Sequence, residues 1–276
     1  MGFFKSLFGG KGETPEEKKE REEARDFDVL KTNGLQALRT GKWETAAKCF
    51  TMALDIKEDL ETHDYLSRAY LNGGQLREGF AQLRILAEAQ PDNLQVLTTM
   101  AHVALMMEDY NLVNETCEKA LALDKDNAEV IYIYAKAAQA QHDLVNAVAL
   151  FTKAAILNPD FNSAYLERGS ILLAMGDLEG AEDDANHLVE VAPEAEEALM
   201  LKARVLLAQQ RTTEAIAFFD RVIDINPFHV AAFLERGAAH RELGDNQAAE
   251  NDLRQALEID PNALNGITGN FNNLGV

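Results

Sequence analysis

The sequence predicts an all-α chain, a stack of about seven helix-turn-helix units with a repeat length of roughly 34 residues. Three observations predict it. The run AYLERG at 164–169 returns as AFLERG at 232–237, two repeat lengths further on. Pro159, Pro193, Pro227 and Pro261 stand one repeat length apart, and so few prolines leave the intervening stretches free to be helical. Small and large apolar residues then recur in phase with those prolines.

Units set on this ruler begin at Phe27, Leu60, Leu94, Ala128, Asn162, Glu196 and Val230, the first being one residue short. In the first helix, position four is apolar or aromatic (Leu30, Leu97, Ile131, Tyr165, Leu199, Phe233). Position eight is small in all seven units: Gly34, Ser67, Ala101, Ala135, Gly169, Ala203 and Gly237. The turn follows near position fifteen, where Gly41, Gly74, Gly176 and Gly244 suit a left-handed cap. In the second helix, position twenty is nearly as small (Ala46, Gly79, Val113, Ala147, Ala181, Ala215, Ala249). Position twenty-four carries Phe50, Leu83, Cys117, Phe151, Phe219 and Leu253. Small residues at eight and twenty let two backbones approach, and the larger ones fill the space beside them. The proline ends the second helix.

These residues resemble the tetratricopeptide repeat family, over 27–263. The second unit departs from it with His63 at position four; Glu58 and Lys125 replace the proline in the first and third. The N-terminal half is therefore expected to be the less regular. The resemblance implies a right-handed superhelix whose first helices line a concave groove holding a segment of another protein. It does not extend to the carboxylate clamp of chaperone-binding members. Lys31 fits that pattern, but Leu35, Tyr65, Gln95 and Thr99 occupy the other places.

The ends divide further. Thr14, Pro15 and Glu17 form a helix start with a capping box, opening a charged helix over 14–26. Residues 1–13 form an N-terminal segment in which Phe3 with Leu7 and Phe4 with Phe8 make an apolar stripe before a glycine hinge. One reading makes that stripe an anchor for a membrane surface or partner; the other packs it on the protein itself. Residues 264–276 are expected to cap the last unit, with Leu264, Ile267, Phe271 and Leu274 at near-helical spacing.

Composition narrows the function. The chain is 47% apolar without any run long enough to span a bilayer. Its formal charge is −20, all of it carried after residue 25, so the phosphate backbone of a nucleic acid is a poor partner. Cys49 and Cys117 have no metal spacing and read as buried thiols in no disulfide, which suits the cytoplasm. The six histidines fall at six different repeat positions, and no catalytic or cofactor fingerprint is present. Asp183 and Asp184, adjacent on a helix, read as a solvated face. No catalytic residue, cofactor or metal is expected. Oligomeric state is left open.

What remains is the groove. The resemblance turns positions five and nine of the first helices toward the concave side. Position nine reads Leu35, Arg68, His102, Lys136, Ser170, Arg204, Ala238, a basic ladder in an acidic chain. Position five turns apolar over the last four units, with Tyr132, Leu166, Met200 and Leu234. The expectation is a non-catalytic scaffold or adaptor that holds a peptide with acidic and apolar residues. Lys136 and Arg204 would meet its carboxylates, and the apolar strip its side chains. The competing expectation pairs Arg68, Lys136 and Arg204 with groove acids such as Asp64, Glu129 and Glu197.

Overall fold

A computed structural model of the chain describes residues 14–264. Those residues form fourteen α-helices, and none lies in a strand. The helices pair as α1 (Pro15–Arg39) with α2 (Trp43–Ile56), α3 (Leu60–Asn72) with α4 (Leu76–Ala89), and α5 (Leu94–Met106) with α6 (Tyr110–Leu123). Next come α7 (Ala128–Ala140) with α8 (Leu144–Leu157) and α9 (Asn162–Met175) with α10 (Leu178–Val191). The last pairs are α11 (Glu196–Ala208) with α12 (Thr212–Ile225) and α13 (Val230–Glu242) with α14 (Asn246–Ile259). Two compact units result, Met1–Lys125 and Asp126–Val276. Apart from α1, the helices are nearly uniform in length, each close to four turns, so successive hairpins present matching faces to one another.

The sequence sets each helix end. Thr14 accepts a hydrogen bond from the Glu17 amide at 3.2 Å while the Glu17 carboxylate accepts from the Thr14 amide at 2.7 Å, so the capping box is complete. From there α1 runs without a break into the first repeat. Asp109, Asp143, Asp177 and Asp245, all at position sixteen, cap the second helices of their repeats. Just before them, position fifteen is left-handed in all seven repeats. Gly41, Gly74, Gly176 and Gly244 take positive φ there, and so do Glu108 (56°), His142 (62°) and Gln210 (62°). The amide at position sixteen then reaches back five residues to close the turn, as in Lys42 to Ala37 and Arg211 to Leu206. Glycine marks four of the turns; the other three hold the same geometry at a steric cost.

Inside the hairpins the small residues do what their spacing implies. A Cβ on Gly34 would lie 2.5 Å from the Phe50 ring, and one on Gly169 would lie 3.0 Å from the Asp184 Cβ. Phe50, Phe151 and Phe219 are completely buried in this way. Cys117 is buried too, and burial pushes its thiol up to about 12, so it is inert at neutral pH. Cys49 is only half-buried, a departure from the expectation of two buried thiols. No helix among the described residues is long and apolar enough to cross a membrane.

Candidate peptide-binding face

In the unit Asp126–Val276, first helices of neighbouring repeats are tied together by ion pairs. Lys136 on α7 donates to Glu167 on α9 at 2.7 Å, and the Gln139 amide donates to the same carboxylate at 3.1 Å. Arg204 on α11 grips Glu235 on α13 with two nitrogens, at 2.9 Å and 2.6 Å. The two pairs stand two repeats apart, and each joins position nine of one repeat to position six of the next. Glu129 and Glu197, the expected partners, stand seven residues earlier on the same helices, about 10 Å along the axis, beyond reach. The pairs are partly solvated, so water competes for each charge.

The apolar strip is divided. Tyr132 is half-buried, its ring 4.7 Å from that of Phe161 and 5.5 Å from that of Phe151. Burial pushes its hydroxyl above the ordinary tyrosine range, and the Glu167 charge adds to the shift. Leu166 is half-buried against the cluster of Ala181, Ala185 and Leu201. Met200 and Leu234 are 4% and 8% exposed and belong to the core clusters of the last two repeats. They correct the expectation of a four-residue wall, because their side chains are already fully used in packing. The open part of the strip is Tyr132 with Leu166.

In the unit Met1–Lys125, Arg68 pairs within its own helix with Asp64 at 2.7 Å, one turn away, as the competing expectation held. His102 is exposed on α5. Lys31 lies between Asp59 at 2.8 Å and Glu61 at 2.6 Å, so the single clamp-like lysine is already committed. Phe3, Phe4, Leu7 and Phe8 lie outside the described residues, as do Ile267, Phe271 and Leu274.

A second set of charges escaped the sequence reading. Arg168 binds Asp184 through two nitrogens, at 2.9 Å and 2.5 Å, and also the Thr152 hydroxyl at 3.0 Å. Arg236 repeats this with Asp252 at 2.9 Å and 2.6 Å and with Asp220 at 2.6 Å. Each guanidinium lies over the aromatic ring at position four, Tyr165 or Phe233. Asp184 is thus 2% exposed at its side chain, correcting its reading as a solvated acid. A signal for it exists in the chain: Arg168 and Arg236 sit inside the duplicated LERG, and Asp184 and Asp252 are duplicated in the same register. Glu182 is a third case. It receives Lys202 at 2.6 Å, Gln209 at 2.6 Å and Arg211 at 2.9 Å. Those bonds pull its carboxyl down to about 2.

Comparison with known proteins places this geometry. One tetratricopeptide repeat model matches residues 134–187 and 166–230, and a second matches 230–263. The DnaJ homolog subfamily C member 7 homolog of Schizosaccharomyces pombe is 23% identical over 200 residues, covering 67% of this chain and 42% of that one. The chain spans about two fifths of the length of the curated relatives it matches. Among solved structures, a tetratricopeptide repeat protein from Parabacteroides merdae superposes with a TM-score of 0.66 at 14% identity, over 86% of this chain and 94% of that one. YrrB, a TPR protein with an unusual peptide-binding site, superposes with a TM-score of 0.57 at 20% identity, over 66% of this chain and 95% of that one.

Proposed function

Because this chain is a tetratricopeptide repeat protein, and so a protein-interaction scaffold, we propose that it is non-catalytic and holds a peptide segment of a partner on the first-helix face of residues 126–264. The segment carries acidic and apolar residues, and the buried, unreactive thiol of Cys117 suits work in the cytoplasm. One observation carries the reading. The same half-solvated ion pair, a cation at position nine with a glutamate from the next repeat, occurs twice in register, at Lys136–Glu167 and Arg204–Glu235. A pair of that kind is exchangeable. A peptide carboxylate takes over the cation while the released glutamate is hydrated, at a small net cost. Tyr132 and Leu166 offer the apolar contact beside the first pair. That YrrB has a peptide-binding site favours the same use of a like fold.

The experiment is capture of the co-purifying partner by three variants. Lys136→Glu with Arg204→Glu is expected to abolish it. Glu167→Gln with Glu235→Gln releases both cations and is expected to strengthen it severalfold. Capture that is unchanged in both variants would mean the ladder only joins repeats. Tyr132→Ala, which removes the apolar contact alone, is expected to weaken capture by about tenfold.

A further inference from the structure

The valleys between successive second helices are not all filled alike. In the fifth repeat Arg168 spans from Thr152 on α8 to Asp184 on α10, and in the seventh Arg236 spans from Asp220 on α12 to Asp252 on α14. Position seven thus supplies a side chain that fills each valley. In the third repeat position seven is Met100, position twenty-three is Thr116 instead of aspartate, and position twenty-five of the preceding repeat is Arg84. Methionine cannot make the bridge. A cavity of about 620 Å³ opens between α4 and α6, with Phe80, Leu97, Met100 and Leu112 in its lining and Arg84 and Lys119 beside them. That volume falls within the roughly 300–1,000 Å³ of sites that hold a ligand.

We propose that this cleft is a second docking site, separate from the first-helix face, for a partner peptide that presents bulky apolar side chains next to a carboxylate. The lining supplies the apolar contact. Charge supplies the sign. The carboxylate that fills this place in the fifth and seventh repeats is missing here, while cations stand at positions twenty-five and twenty-six on both walls. Arg84 and Lys119 are held only by exposed one-turn pairs, with Glu88 at 3.8 Å and Glu115 at 2.6 Å. Such pairs contribute little and give way to a better-placed anion. An arriving carboxylate rebuilds across α4 and α6 the kind of pairing that Arg168 makes across α8 and α10.

Two blocked pentapeptides, Leu-Phe-Glu-Leu-Phe and Leu-Phe-Lys-Leu-Phe, titrated into the full chain test this by fluorescence polarisation. Methionine-methyl NMR locates the binding. The glutamate peptide is expected to move the Met100 methyl signal and to bind about tenfold tighter than the lysine peptide. Arg84→Glu with Lys119→Glu, both exposed and harmless to the fold, is expected to reverse that order. Met100→Arg, Ala101→Gly and Thr116→Asp together install the bridge of the fifth repeat and are expected to abolish binding. Equal affinity for the two peptides, an unmoved Met100 signal, or binding that survives the refilled cleft in a folded variant overturns the proposal. So does a Met100 shift on Phe3→Ser with Phe8→Ser in the absence of peptide, which would assign the cleft to the chain's own N-terminal segment. None of these outcomes touches the Lys136 and Arg204 face.

Discussion

The fifth and seventh repeats carry an arginine at position seven, the third a methionine, and everything around that position follows. Where the arginine is present, position eight is glycine, position twenty-three is aspartate, and an aromatic ring lies under the guanidinium. Glycine is part of the set for a steric reason. A Cβ on Gly169 or Gly237 would press against the Asp184 or Asp252 Cβ, at 3.0 Å and 3.2 Å. Where the methionine is present, position eight is Ala101, position twenty-three is Thr116, and a cleft remains. One helical hairpin therefore supports two solutions. In one, a buried ion pair closes the seam between second helices; in the other, apolar side chains line it and leave it open.

The most damaging way to break this comparison is to remove one charge from the closed form. Asp184→Ala leaves the Arg168 guanidinium largely buried beside Thr152 with no carboxylate. Loss of one partner of a buried pair costs about 3–5 kcal/mol. The urea midpoint of the variant checks it. Converting the seam instead of breaking it, with Arg168→Met and Asp184→Thr, removes both charges at once and is expected to cost only about 1 kcal/mol. If the double variant is as damaged as the single one, the open seam of the third repeat depends on more than those positions.

The sixth repeat sharpens the contrast by using lysine. Lys202 is buried, and Glu182 holds it together with Gln209 and Arg211. The Lys202 bond leads the causes that pull the Glu182 carboxyl down from an ordinary 4.5 to about 2. A carboxyl depressed by folding stabilises the native state above its unfolded value. That stabilisation is complete above about pH 4.5 and disappears as pH falls toward 2. Glu182→Gln is expected to cost about 2 kcal/mol at pH 7 and to flatten the stability profile between pH 4.5 and 2. Urea midpoints measured across that range give both numbers. An unchanged slope would mean that Lys202 is held by packing alone.

How much of this could be read from the chain depends on what each residue touches. Proline spacing, small residues at positions eight and twenty, and the Thr14–Glu17 box are local signals, and they specify helices, turns and packing distance without reference to the rest of the fold. Pairing between repeats is not local. Lys136 meets Glu167, nearly a full repeat away in sequence, because first helices of successive repeats lie side by side, a geometry that helical spacing within one segment cannot give. Met200 and Leu234 failed for a related reason. Position five sits at the margin of the face, and whether it opens outward depends on the bulk of the next hairpin, which covers both. Asp184 misled because two adjacent acids suggest solvent; the arginine that buries one of them lies on the preceding helix.

The turns offer the gentlest comparison between repeats, and the clearest sign of change. Position fifteen is left-handed everywhere, yet Gln210 holds φ of 62° where Gly244, one repeat on, holds 82°. A side chain with a Cβ incurs a steric penalty of about 1 kcal/mol in that region, and glycine incurs none. Glycine also offsets part of that advantage through its freer unfolded chain. Gln210→Gly is expected to stabilise the protein by roughly 0.5 kcal/mol, while Gly244→Ala is expected to destabilise it by about 1 kcal/mol. Both appear as opposite displacements of the urea midpoint. Displacement of both in the same direction would mean that Gln210 contributes contacts that outweigh its backbone strain.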